Sequence, residues 1–191
     1  MPKISKPTIR EHKESVRAAL VGTAADIIER EGVAAVLPGT VTAGAGVARS
    51  TFYKYFATRD DVLVAVGVEA MEAWAAELGE AVDAQEEGLP RLRALVDATM
   101  RMTADGRHDL ASALRDEQLS PTHREDLMAL HDALFRPALT VLAGLDVPNP
   151  ERASHLIQGV LGIGVQLVQH GVAPQEAADD VYRLITRGLL T

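Results

Sequence analysis

The sequence predicts an all-α protein of about nine helices, arranged as a short N-terminal three-helix head and a longer helical body. Three observations lead there. Ala, Leu, Glu, Arg and Val dominate, and apolar residues recur three and four positions apart. No stretch sustains the polar and apolar alternation of a strand. Gly and Pro fall at helix-length intervals, where they end one helix and open the next.

Each element follows from local chemistry. The first helix is expected over Ile9 to Glu31, with an apolar stripe of Val16, Leu20, Thr23, Ala24, Ile27 and Ile28. Gly32 ends it, because glycine tolerates the positive φ of a C-cap. Pro38 suits the first position of a second helix that stops between Gly44 and Gly46, and a third spans about Arg49 to Tyr55. Thr58 is the expected N-cap of a long helix from Arg59 to about Gln85, with Asp60 and Asp61 favoured by the dipole of its first turn. After Gly88-Leu89-Pro90 another helix runs to about Ala104, and a short one is expected over His108 to Leu119. Thr122 and Glu125 match a capping box that opens a helix to about Gly144. Asn149-Pro150 opens the penultimate helix, which reaches His170, and Pro174 opens the last, which ends near Leu190.

Composition excludes several classes. The 191 residues contain no cysteine, which removes disulfide scaffolds, thiolate zinc sites and thiol catalysis and suits a cytoplasmic protein. No run of 18 apolar residues predicts a membrane span, and the polar stretch from Met1 to Lys13 does not resemble a signal peptide. The net charge of −8 argues against a polyanionic partner until it is divided. Residues 1–59 hold nine Lys or Arg against five acids, a net +4. Residues 60–191 hold ten against twenty-two, a net −12. A basic head on an acidic body points to a head that meets a polyanion.

The stretch from Val41 to Phe56 carries the most information. Two short helices separated by a tight turn at Gly46 are the parts of a helix-turn-helix, with Val47 plugging the angle between them. Phe52 and Phe56, four apart, suit burial on one face. Arg49, Ser50, Thr51, Tyr53, Lys54 and Tyr55 place hydrogen-bond donors on the other, as a helix in a major groove requires.

In this stretch the chain resembles the TetR-type transcriptional regulators. Val41-Thr42-Ala43-Gly44-Ala45-Gly46-Val47, Thr51-Phe52-Tyr53-Lys54-Tyr55-Phe56 and Thr58-Arg59-Asp60-Asp61-Val62-Leu63 follow the family's order and spacing over roughly residues 15–65. The departures are Leu37, where the family usually caps its second helix with a hydroxyl, and the small Ala43 and Gly44. Gly44 is expected to cost that helix about 1 kcal/mol relative to Ala. The resemblance implies a DNA-binding domain over residues 1–58 and a ligand-binding and dimerisation domain over 59–191. It also implies phosphate contacts from Tyr53, Tyr55, Thr58 and Arg59. Arg49, Ser50, Thr51 and Lys54 are the candidates for base edges. Lys13 and Arg17, with the tail residues Lys3, Lys6 and Arg10, are candidates for further backbone or minor-groove contacts.

The body yields two further expectations. The penultimate helix is apolar around most of its circumference and must be buried on more than one side. Ile157, Val160, Leu161, Gly164, Leu167 and Val168, with Val181, Leu184 and Ile185 of the last helix, are the expected interface of a homodimer. Met71, Trp74, Met100, Met102, Leu114, His131 and Phe135 are the candidates for an apolar effector pocket.

There is no phosphate loop, GxSxG or HExxH, and the scattered histidines show no convincing metal spacing. Neither an enzyme nor a metal or other cofactor is expected. The expectation is a homodimeric regulator, most simply a repressor, bound to a near-palindromic duplex and released by a small apolar effector of unknown identity. The alternative is a helical small-molecule carrier or sensor without DNA binding.

Overall fold

The structure, a computed structural model, describes residues 8–105, 122–123, 136–145, 147 and 149–188. Among these residues it is all-helical. The elements are α1 (Ile9–Glu31), a 3₁₀ turn (Val33–Ala35), α2 (Pro38–Gly44), α3 (Arg49–Phe52), α4 (Arg59–Asp83), α5 (Leu89–Ala104), α6 (Arg136–Ala143), α7 (Pro150–Gln169) and α8 (Pro174–Gly188). Eight α-helices are thus described where about nine were expected. The expected helix over 108–119 and most of the one expected from Thr122 lie outside the described residues.

The chain divides into two compact units. The first takes residues 1–69 with 113–127, the second residues 70–112 with 128–191. The long helix α4 therefore contributes to both, and the first unit runs past residue 58. Buried Val62, Leu63, Ala65 and Val66 account for that extension, since they give the first two turns of α4 an apolar face.

In the first unit, local chemistry sets the helix ends. Thr8 caps α1 through a capping box: its Oγ1 accepts the Glu11 N–H at 3.2 Å, and Glu11 Oε2 accepts the Thr8 N–H at 2.6 Å. The Thr8 N–H and hydroxyl hold the Glu11 carboxyl below its usual value. α1 buries Leu20, Val21, Ala24, Ile27 and Ile28, while Val16 stays half-buried near its outer end.

The missing hydroxyl at Leu37 has a substitute. Thr40 Oγ1 accepts the Leu37 N–H at 3.0 Å and donates to Ala35 O at 2.8 Å, so α2 keeps half of a capping box from its third residue. Gly44 also has a positive role. A Cβ there would lie 2.6 Å from Thr23 Cγ2, so the glycine is what lets α1 and α2 approach.

In the second unit, Leu78, Leu92, Leu95, Val96, Met100, Met102, Leu142, Ile157, Leu161 and Ile185 belong to one buried cluster drawn from five helices. Gly164 is its tightest point. A Cβ on it would lie 2.6 Å from Val181 Cγ2 and 2.7 Å from Met100 Cε, so α5, α7 and α8 cross over a position where a methyl would force those side chains to shift. Arg93 ties α5 to α8 at the rim. Its guanidinium lies 2.8 Å from Asp97, 2.7 Å from Asp179 Oδ1 and 5.3 Å from the centre of the Tyr182 ring. Arg93 in turn holds the Asp179 carboxyl below its usual value. Gly171, at φ +94°, closes α7 in a Schellman motif, with its N–H on Val168 O and the Val172 N–H on Leu167 O.

This packing corrects the expected dimer face. Ile157, Leu161, Gly164, Val168, Val181 and Ile185 lie in the chain's own core. The sequence shows α7 to be apolar around most of its circumference, and which of its apolar faces turns inward is decided by α5 and α8. Of the expected interface residues, Leu167 and Leu184 are exposed and Val160 is half-exposed.

The glycine environments separate two substitutions that helix propensity alone would treat alike. Gly164→Ala should destabilise by about 1–3 kcal/mol through overpacking. Gly22→Ala, where nothing lies within 4 Å of the new methyl, should stabilise by about 0.5–1 kcal/mol. Urea denaturation of both variants checks this, and equal midpoint shifts would contradict the packing at Gly164.

Candidate nucleic-acid interface

The candidate surface is assembled by the α2–α3 turn. Gly46 adopts φ +67°, a conformation that costs a side-chain-bearing residue about 1–2 kcal/mol. Its N–H donates to Ala43 O at 3.3 Å and the Val47 N–H donates to Thr42 O at 3.0 Å, which together form a Schellman motif. Thr42 is buried and satisfies its hydroxyl on Pro38 O at 2.7 Å. The turn thus fixes the direction in which α3 leaves.

The regular part of α3 is one turn long, shorter than the expected run to Tyr55. The winding nevertheless continues, with Lys54 N–H on Thr51 O, Tyr55 N–H on Phe52 O and Phe56 N–H on Phe52 O, at 2.9–3.1 Å. Phe52 and Phe56 are buried, with ring centres 5.6 Å apart. Arg49, Ser50, Tyr53 and Lys54 are exposed on the outer side, Tyr53 at 56 %. Thr51 and Tyr55 are half-buried, which leaves them less surface to offer a partner. The Phe52 and Tyr53 rings meet edge to face at 5.5 Å, so packing limits the directions open to the Tyr53 hydroxyl.

The remaining basic candidates differ in how far the fold already uses them. Lys13 is exposed. Arg17 donates to Glu69 Oε1 at 3.1 Å and its guanidinium lies 5.7 Å from the centre of the Phe56 ring. This links α1, the α3–α4 corner and α4, with the cation–π contact contributing about 0.5–1 kcal/mol. Arg59 is half-buried. Its Nε donates to Val36 O at 2.9 Å and Nη2 to Val33 O at 2.8 Å, the latter a second bond to a carbonyl that already accepts the Val36 N–H at 3.1 Å. This internal role has no sequence signature, because the carbonyls of residues 33 and 36 carry no side-chain identity. Lys3 and Lys6 lie outside the described residues.

Thr58 and Asp61 form a capping box at the start of α4. Thr58 Oγ1 accepts the Asp61 N–H at 3.2 Å, and Asp61 Oδ2 accepts the Thr58 N–H at 2.7 Å. Asp61 Oδ1 also lies 2.9 Å from His123 Nε2. Burial pushes the Asp61 carboxyl up, but the Thr58 N–H, the His123 ring and the Thr58 hydroxyl together hold it below its usual value. The contact with His123, from a segment 62 residues further along, was not expected from the sequence.

The candidate effector pocket is only partly described. Met100 and Met102 are fully buried in the core of the second unit, and Met100 packs on the Gly164 position. Met71 is buried and Trp74 packs half-buried on the same core. Leu114, His131 and Phe135 lie outside the described residues. A groove of about 490 Å³ runs instead between α4 and α5, floored by Ala81, Ala94 and Ala98 and edged by Gln85, Asp97 and Arg101. None of the methionines lines it. Among the described residues no cluster of His, Asp or Glu is arranged to hold a metal ion, and no helix is long and apolar enough to cross a membrane.

Replacing Arg59 by Lys keeps the charge but loses the fork that reaches two carbonyls. Arg59→Lys should lower the unfolding free energy by about 1–3 kcal/mol. An unchanged urea midpoint would show that the two carbonyl bonds contribute nothing.

No protein-family model matches the chain. No curated protein matches it either. Solved structures do. The regulator FadR from Bacillus subtilis, determined in complex with stearoyl-CoA, superposes with a TM-score of 0.72 at 18% identity, covering 90% of this chain and 98% of the other. The TetR family transcriptional regulator PfmR from Thermus thermophilus gives 0.61 at 18%, covering 89% and 98%. A protein described as superantigen PfiT gives 0.72 at 20%, covering 90% and 96%. Likeness at such identities establishes architecture and leaves function to the site. The chain has the fold of the TetR-type transcriptional regulators.

Proposed function

We propose that the chain is a sequence-specific DNA-binding transcriptional regulator of the TetR type, acting as a homodimer on a near-palindromic operator and responding to a small-molecule effector. The observation that carries this reading is the outer face of α3. Arg49, Ser50, Tyr53 and Lys54 stand exposed on one side of a helix whose other side is locked by buried Phe52 and Phe56. That face lies in the stretch of the chain with a net charge of +4, while the rest carries −12. Such a division favours approach by the head and disfavours contact of the body with phosphates.

A homodimer is supported by what α7 leaves uncovered. Leu156, Ile163 and Leu167 recur at helical spacing on its outer side around half-buried Val160, with Ile163 57 % exposed, and Leu184 of α8 is exposed to the same degree. An apolar stripe of this kind on a helix already buried on its other face suits a second copy. Two recognition helices would then meet successive major grooves about 34–36 Å apart. For the effector, the stearoyl-CoA held by a protein of this fold supports a ligand with an apolar body. Release follows if the ligand favours a state with misplaced heads by a few kcal/mol, and repression is the simplest outcome of such a scheme.

One observation favours a second reading, a helical small-molecule carrier or sensor. The exposed side of α2 consists of Thr40, Ala43 and Gly44, and so offers a duplex a single hydroxyl, one already engaged in the cap. Selection from random duplexes at low salt separates the two. The regulator should enrich a palindrome, and recovery of unenriched sequence would end the regulator reading. On the enriched site, Tyr53→Phe should weaken all sequences nearly equally. Lys54→Ala should relax preference at one base pair by about 1–3 kcal/mol. Uniform weakening by both variants would refute that division of labour.

The dimer is tested separately. In sedimentation, Ile163→Glu should yield monomers with an unaltered helical spectrum. Ile157→Ala should instead cost about 2–5 kcal/mol of stability without changing the association state, because that side chain is fully buried within the chain. A dimeric Ile163→Glu would place the interface elsewhere.

A further inference from the structure

We propose that His123 is a positioning residue for α3, acting through Asp61; the proposal rests on the reading of α3 as the DNA-contacting helix. The two oxygens of the Asp61 carboxylate have separate partners. Oδ2 accepts the Thr58 N–H at 2.7 Å and Oδ1 lies 2.9 Å from His123 Nε2. A carboxylate held at one oxygen still turns about its terminal bond, whereas one held at both has its plane set. His123 therefore fixes the plane in which Asp61 presents Oδ2 to Thr58. Thr58 in turn follows Phe56 by two residues, and Phe56 is the buried anchor that packs on Phe52 of α3.

Burial and charge agree with this role. The His123 and Asp61 side chains are 22 % and 31 % exposed, so water competes weakly for the bond. His123 lies 62 residues along the chain from Asp61, and both belong to the first compact unit. A residue distant in sequence thus meets the corner where α3 ends and α4 begins. An ordinary helix cap needs only the local Thr58 and Asp61 pair. The added tie makes the corner depend on His123 as well.

The test uses the full-length protein and three forms: wild type, His123→Ala and His123→Gln, whose amide nitrogen reaches about as far as Nε2. Amide hydrogen exchange by NMR reads the corner without DNA. His123→Ala should speed exchange at Thr58 and Asp61 about fivefold, the equilibrium equivalent of one ordinary hydrogen bond. The amides of Ala24 and Ile28 in α1 should keep their rates, and His123→Gln should restore the wild-type values. On a duplex selected by the wild type, His123→Ala should bind about three- to tenfold more weakly with unchanged base preference, again restored by Gln. Unchanged exchange at Thr58 and Asp61 in His123→Ala overturns the proposal, as does an equal acceleration at Ala24 and Ile28. If the wild type selects no duplex, the DNA-binding reading falls, while the exchange rates still decide whether His123 sets the corner.

Discussion

The geometry of the first unit depends on the corner between α3 and α4. A helix-turn-helix is useful only if its second helix leaves the turn in one direction and is stopped in one place. Gly46 sets the departure by adopting a φ closed to other residues at low cost. Thr58 and Asp61 set the stop by exchanging two hydrogen bonds at the first turn of α4. Between them, Phe52 and Phe56 sink one side of the short helix, and four polar side chains are left on the other. Arg17 and Arg59 brace the arrangement from neighbouring elements, one against Glu69 and the Phe56 ring, the other against the carbonyls of the 3₁₀ turn. Basic residues near a candidate DNA surface thus fall into two groups. Lys13, Arg49 and Lys54 are exposed, while Arg17 and Arg59 are partly committed to the fold.

Much of the fold was legible in the sequence because helices are local objects. The bounds of α1, the start of α4 at Thr58, the end of α5 near Ala104 and the proline-opened α7 and α8 all follow from caps and breakers a few residues long. The donor-bearing face of α3 was legible for the same reason, since a spacing of four places Phe52 and Phe56 together. What the sequence hid are relations between distant residues. Gly44 reads as a weak point in α2 until Thr23 of α1 is found against it. Leu37 reads as a missing cap until Thr40 is seen to supply one. Arg59 reads as a phosphate ligand because nothing in the chain marks two backbone carbonyls as its partners.

The body illustrates a different limit. Hydrophobic periodicity tells how much of a helix is buried, and α7 is apolar enough to be covered on two sides. It does not tell which side is covered by the chain itself. Ile157, Leu161 and Val168 face inward, and Leu156, Ile163 and Leu167 face outward, although the two sets are indistinguishable by composition. The deciding influence is steric. The hydrogen at Gly164 admits Met100 and Val181, and once that crossing is made the orientation of the whole helix follows. The methionine that composition suggested as a flexible pocket wall is the knob that fills this gap.

The crossing at Gly164 also has a meaning for descent. Three positions on three helices share one small volume, and a methyl at 164 fits only if Val181 and Met100 give way. A lineage that gains a methyl at 164 must also shift or shrink Val181 and Met100. The order of such changes is constrained even where each end state is well packed. Positions 100, 164 and 181 should therefore be inherited as a unit, varying together across descendants while the exposed glycines 159 and 162 of the same helix drift one at a time.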